Sequence, residues 1–542
     1  MPDAVVVGAG PNGLVAANQL VDAGWSVVVL EAAPQAGGAV RSAELTLPGF
    51  RHDLFSAFYP LAAVSPIIRD LELEAYGLRW RHAPLVLAHP FPDGRCAAIS
   101  TDLDESAHSV AEFARRDGDA WRRMIDAWDA IADPAMEFVL QPFPPARPSL
   151  TIARRLGAQG SLRLVRHLLL PVRRMAEELF EGEGARLLLG GSALHTDVTP
   201  EGAGSGAFGW LLCCLAQRHG YPVPLGGAGA ITDALVARLE SRGGEIRYGA
   251  SVVEVIVRSG RAVGVRTGSG DVVDARRAVV ADVTAPVLYN ELVGAEQLPP
   301  SVLDDLSRFH WDVSTVKVDW ALEGAIPWQA ESAWRAGTVH VADDFDNLTE
   351  FAAEIAMGRL PARPFLLVGQ QSLADPTRSP EGTDTAWAYT HVPTRIRADA
   401  AGELPVAEHL GGGFADEPWL DGFVERMESR VEALAPGFRE RILARHVFSP
   451  TGMQGENASL VGGAIGGGTS QLHQQLMFRP IPGTGRSETP ITGLYLASAS
   501  AHPGGGVHGA GGANAARAAL LPFARARAVA FGRATRRARE SD

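Results

Sequence analysis

An α/β fold, with a Rossmann-like domain built from discontinuous segments and an α+β domain beside it, is predicted by three features of the sequence. A strand, a glycine loop and a helix follow one another at the N-terminus. A second glycine loop feeds a helix of small residues near the C-terminus. The 542 residues amount to about three typical domains, so long inserts must separate the pieces of the first unit.

Val5-Val6-Val7 reads as a buried strand, Gly8-Ala9-Gly10-Pro11-Asn12-Gly13 as a tight loop, and Leu14 to Ala23 as a helix with Leu14, Ala17 and Leu20 on one side. Gly8 permits the turn, Gly10 presents bare backbone to a pyrophosphate, and Gly13 lets helix approach strand. Pro11 and Asn12 complete a helix N-terminus whose free N–H groups and partial positive charge suit an anion. Ser26 to Leu30 is the next strand and ends at Glu31, close to the ~20-residue spacing expected for the acid that binds ribose hydroxyls. Its carboxylate would repel a 2'-phosphate, which disfavours NADP.

Pro224-Leu225-Gly226-Gly227 then leads into a helix over Ile231 to Leu239. Glu245 to Arg247, Val252 to Val257 and Arg261 to Arg266 read as short strands, and Ala278 to Ala281 as a buried strand of the first unit. Thr315 to Leu322 alternates, placing Val316, Val318, Trp320 and Leu322 on one face and Lys317 with Asp319 on the other. Gly493 to Leu496 is a final strand, and the loop from Ala499 to Gly509 opens onto a helix from Gly512 to Leu520. The expected division is 1–80, 221–294 and 441–525 for the nucleotide-binding domain, 81–220 and 295–440 for a substrate domain with a helical cap, and 526–542 for a basic tail.

Composition removes several classes of function. The net charge of -13, from 62 acids against 49 bases, argues against a nucleic-acid partner. Cys96, Cys213 and Cys214 are too few for a disulfide framework and form no C-x-x-C pair, so a reducing compartment and a cytoplasmic location are expected. Cys213-Cys214 lies in an apolar run and reads as core packing. No export signal follows Met1, and no stretch reaches the ~18 apolar residues of a spanning helix. No H-E-x-x-H or comparable spacing suggests a metal.

Glu31 is followed by Gly37-Gly38 and Arg41, and this continuation resembles the FAD-binding signature of the glutathione-reductase and amine-oxidase superfamily. The resemblance implies FAD rather than NAD, with Arg41 near the flavin-side phosphates. Pro48-Gly49-Phe50-Arg51-His52-Asp53, Lys317-Val318-Asp319-Trp320 and His502-Pro503-Gly504-Gly505-Gly506 are similar to phytoene desaturase-like flavoproteins, which include carotenoid desaturases, carotenoid isomerases and retinol saturase. The likeness spans most of the chain, strongest at its ends. It implies that Val253 binds adenine through its backbone and that Ser500, Gly506 and Val507 lie on the flavin side. The second helix N-terminus would stabilise charge at the N1/C2 carbonyl edge of the flavin.

The same resemblance suggests catalytic residues. Lys317, the sole lysine, would hold a water at flavin N5 or pair with Asp319; Asp53 would face the cofactor; His502 would act as base or bond a loop carbonyl. The chain departs from the family at Ser487-Glu488, where relatives carry a tyrosine, and at Ala497-Ser498, where they carry Cys-Gly.

The function expected is an FAD-dependent dehydrogenase or desaturase moving hydride from a C–H bond of an apolar, isoprenoid- or lipid-like substrate to flavin N5, with oxygen or a quinone as electron acceptor. An amine oxidase is the alternative, weakened because 479–494 contain no aromatic residue for an amine cage. A regulatory flavoprotein without turnover is the other. Arg163, Arg166, Arg173 and Arg174, with Leu162, Val165 and Leu169 opposite, suggest peripheral contact with an anionic membrane. Oligomeric state is open.

Overall fold

The computed structural model describes residues 1–406 and 417–521. The basic tail at 526–542 lies outside them. The valine runs at the N-terminus form the centre of a five-stranded sheet in the order Leu494–Leu496, Ala278–Ala281, Ala4–Val7, Val27–Leu30, Glu245–Arg247. Every pairing in it is parallel. Strands of this kind are covered on both faces, and alternate valines divide accordingly. Val6, Val29 and Val280 pack with Leu14, Leu20 and Leu235 from the helices Pro11–Asp22 and Gly229–Ser241. Val5, Val28 and Val279 pack on the other side with Val255 and Val265 of an antiparallel three-stranded unit.

A second, seven-stranded sheet has the order Ile442–Phe448, Ser314–Leu322, Asp384–Val392, Leu366–Gly369, Ala336–Val341, Leu85–Pro90, Cys96–Ile99. Its pairs are antiparallel except Ala336–Val341 with Leu85–Pro90. One face meets a helical cap through Leu87, Leu367 and Trp387, packed with Trp121, Trp210, Cys213 and Cys214. The other face is closed by Phe423, Met427 and Val431 of the helix Leu420–Leu434. The cysteines are free and buried, and burial pushes the Cys96 and Cys213 thiols up to about 12, which leaves them inert at neutral pH.

Three expectations change. Ile442–Phe448, grouped with the nucleotide-binding pieces by the boundary at 441, instead pairs with Ser314–Leu322 as an edge of the second sheet. Leu298, Val302 and Leu306, placed beyond the boundary at 294, bury against Val279 and Ala281 under the first sheet. The basic face expected over Ser161 to Arg174 is divided. One helix, Ala146–Leu169, carries a break at Gly157 (φ 64°), and Arg173 and Arg174 belong to the next, Val172–Leu179. Pro171 separates them, since it donates no N–H and seats itself only at a helix start.

Candidate active site

Two helix N-termini from opposite ends of the chain lie side by side. Pro11–Asp22 begins at Gly10 and Ala510–Leu520 at Gly509, and neither glycine has a side chain with which to cap its own helix. A Cβ on Gly512 would sit 1.9 Å from the Asn12 carbonyl oxygen, so this contact admits only glycine. Gly8 takes φ +94°, and a Cβ on Gly13 would stand 2.2 Å from the Gly8 carbonyl oxygen. The turn at Gly8 and the close helix–strand approach at Gly13 are both present.

Glu31 is held at its strand end by N–H groups of Ala9 (2.7 Å) and Ala33 (2.8 Å), which fix the carboxylate beside the first loop. Gly37 and Gly38 both have positive φ, and a Cβ on Gly38 would lie 3.2 Å from Gly10 Cα, placing the paired glycines across that loop. Arg41 is buried and donates to the carbonyls of Gly38 (3.0 Å) and Glu456 (2.9 Å). Asp282, absent from the sequence-based set, follows Ala278–Ala281 and accepts from Gly13 N–H at 2.8 Å. Burial, with the nearby Glu31 charge, pushes its carboxyl up to about 7 against that hydrogen bond.

The fit to FAD rests on this geometry. The buried Asn12 Oδ1 has no protein partner, two helix ends that begin at glycine converge, and the glycine cradle leaves backbone bare. Ser500 is buried, its hydroxyl bonded to the Gly467 carbonyl at 2.8 Å; Gly506 has φ +119°; Val507 packs against the core beneath the first sheet. Val253 is 48% exposed and sits at a register shift between Val252 and Glu254, so the ladder is interrupted where a backbone contact to adenine is expected.

His502 Nε2 donates to the Gln141 carbonyl at 3.0 Å, while its Nδ1 is buried without a partner. Burial, assisted by Arg479, pushes the ring down to about 4. It is therefore neutral near pH 7, with an unshared lone pair. His508 Nδ1 accepts from Ala510 N–H at 3.0 Å and is likewise lowered to about 4. Arg479, also missed in the sequence, is buried and donates to the carbonyls of Gly466, Gly468, Thr469 and Ala499. It ties the 466–469 loop to Ala499, where the second glycine loop begins.

Lys317 is buried, opposite Tyr389 and Phe448 in register. Its ammonium donates to both Asp319 carboxylate oxygens and to the Asp53 carbonyl at 3.0 Å. Burial raises the Asp319 carboxyl, but the Lys317 charge and His52 outweigh it and hold the group below its ordinary value. Asp53, expected to face the cofactor, has both carboxylate oxygens engaged by protein groups. Its Oδ1 accepts from Ser42 (2.6 Å) and the Ala228 N–H (2.7 Å), and its Oδ2 from both Arg378 terminal nitrogens at 3.1 Å. Arg378, fully buried, also donates to Asp375 at 2.8 Å. The carboxylate is a structural anchor, and Asp53 meets Lys317 through its carbonyl.

The buried histidines have a measurable consequence. His89, His391, His502 and His508 are pushed down to about 4 and His195 to about 3, burial being the main cause. Their folded values lie below the unfolded value near 6.5, so the unfolded chain binds more protons in the window from 6.5 to 4. Stability present above that window is lost as pH falls through it. We expect melting temperature to drop steeply from pH 7 to pH 5, with roughly four protons taken up on unfolding near pH 5. A flat profile over this range would contradict the neutral burial of these rings.

Residues 12–385 match the family model described as flavin containing amine oxidoreductase. The chain is 30% identical to the pyridine nucleotide-disulfide oxidoreductase domain-containing protein 2 of Rattus norvegicus, over 95% of this chain and 92% of that one. It is 26% identical to the neurosporene-forming phytoene desaturase of Rhodobacter capsulatus, over 97% and 94%. Among solved structures, an oxidoreductase from Methanosarcina mazei is similar with TM-score 0.60 and 16% identity, covering 95% of this chain and 99% of that one. That last likeness shows the fold.

Proposed function

The chain belongs to the flavin-containing amine oxidoreductase family and is an FAD-dependent oxidoreductase, and from that premise we propose that it is a dehydrogenase or desaturase acting on a C–H bond of an apolar, isoprenoid- or lipid-like small molecule. One observation supports this over amine oxidation. The two acids gathered at Lys317, close to the stacked rings of Trp387 and Tyr389, are already engaged, Asp319 by Lys317 and Asp53 by Arg378, so neither is free to receive a cationic amine. The similarity to a phytoene desaturase points the same way.

When bound, the flavin supplies a two-electron acceptor that takes hydride at N5. The chain's own groups do the rest. Gly8, Gly10 and Gly13 would shape the pyrophosphate cradle, Glu31 would take the ribose hydroxyls, and the positive end of the helix from Ala510 would stabilise charge at the flavin's carbonyl edge. His502, neutral and with Nδ1 open, accepts a proton; Lys317, its three N–H donors taken by Asp319 and the Asp53 carbonyl, would hold a water only by giving up one of those bonds. The substrate lies where the two domains meet, and oxygen or a quinone is the electron acceptor.

No helix among the described residues is long and apolar enough to cross a membrane. Leu162, Val165 and Leu169 are exposed at 72%, 54% and 52% on a helix that also bears Arg163 and Arg166. We place the protein in the cytoplasm with this helix as its peripheral contact with an anionic membrane. The functional reading is tested by aerobic incubation with apolar polyenes and acyl compounds and, separately, with primary amines. The expected product is two hydrogens lighter than an apolar substrate by mass spectrometry; amine-dependent ammonia and peroxide release would overturn the proposal.

A further inference from the structure

A cavity of about 350 Å³ opens in the substrate domain between the segment following Glu183–Ala193, the helix Phe345–Ala356 and the chain leaving the strand Asp384–Val392. That volume lies within the range of small-molecule sites. Leu194, Val313, Phe351 and Ile355 give it an apolar wall. His391, 4% exposed, lies at its buried end, and Arg395 and Arg397, both exposed, line its mouth.

Charge and position give this cavity a direction. Arg363, Arg426 and Arg430 nearby are each paired with an acid, whereas Arg395 and Arg397 have no ion pair among the described residues. Asp197 also lines the cavity, but its carboxylate is occupied by the Thr469 hydroxyl and the Ser470 N–H. At the inner end the His391 ring lies 5.7 Å from that of Tyr389, and Tyr389 stands opposite Lys317 in the sheet. A ligand entering past the arginines and following His391 is thus led toward Lys317, the residue that the proposed function sets at the cofactor.

We propose that the substrate is amphipathic, an apolar chain with an anionic head, the head held at the mouth by Arg395 and Arg397 and the chain passing inward by His391 and Tyr389. Guanidinium groups match carboxylate and phosphate oxygens in planar, paired geometry, and the apolar wall behind them has no charge to offer a head group. This deepens the proposed dehydrogenase reading and rests on it for the identity of the bound molecule as substrate.

The test uses the FAD-loaded protein with the flavin oxidised, titrated with laurate, dodecyl phosphate and dodecanol, with binding read by calorimetry. An anionic ligand is expected to bind at least tenfold more tightly than dodecanol, and the tighter of the two anions identifies the head. In the double variant Arg395→Gln with Arg397→Gln the preference is expected to vanish, with dodecanol affinity and flavin content unchanged. Equal affinity for acid and alcohol, or a preference that survives in the variant, would overturn the proposal. Because no turnover is read, failure of the dehydrogenase reading would leave this ratio intact, and failure of the ratio would leave oxidation of neutral compounds standing.

Discussion

Replacing Gly10 with valine is expected to abolish FAD binding, weakening it by at least about 100-fold. Even the first added carbon would lie 2.7 Å from Asp282 Oδ2. Asp282 has little freedom to retreat, because it is buried and holds the Gly13 N–H that begins the helix. The remaining atoms of the side chain would enter the space where backbone approaches the pyrophosphate. Flavin absorbance per chain after desalting reads the effect, and an unchanged far-ultraviolet dichroism spectrum separates loss of cofactor from loss of fold. Stoichiometric flavin in the folded variant would remove Gly10 from the site.

The second large effect is at Lys317. Lys317→Met leaves Asp319 buried without its cation, and such an uncompensated charge costs about 3–5 kcal/mol. The loss should appear as a lower denaturation midpoint. Replacing both partners, Lys317→Met with Asp319→Leu, removes the stranded charge as well, and most of the lost stability is expected to return. A single variant as stable as the parent would contradict the buried pair. In the folded double variant, slower reoxidation of the reduced flavin by oxygen would separate a role at the cofactor from one in stability.

Local chemistry made the first half of the site readable. The valine strand, Gly8, Gly10, Gly13 and Glu31 lie within one short stretch, and their spacing marks a candidate nucleotide cradle without knowledge of the rest of the chain. Asp282 offered no such pattern. It is a lone acid after a buried strand, and its value depends on Gly13, which only the parallel sheet brings within 2.8 Å. The partners of Asp53 were hidden for the same reason. Nothing beside it in sequence announces Arg378, a partner 325 positions away. His502 likewise takes its tautomer from the Gln141 carbonyl, 361 positions away.

Domain boundaries followed the same rule. The sequence of Ile442–Phe448 shows a strand but not its neighbour, and pairing with Ser314–Leu322 is what assigns it to the second sheet. The helix Pro300–Ser307 is assigned by its buried side, where Val302 and Leu306 join the core around Val279. Periodicity reveals that a segment has an apolar face; which core receives that face is decided by the tertiary fold.

The most direct measurement is the visible spectrum of the purified protein under anaerobic conditions, titrated in parallel with apolar polyenes and acyl compounds, primary amines, and NAD(P)H. The oxidised flavin band is expected at one FAD per chain and is expected to bleach with an apolar compound alone. Bleaching by amines or by NAD(P)H instead, or a purified chain with no flavin band, would contradict the account.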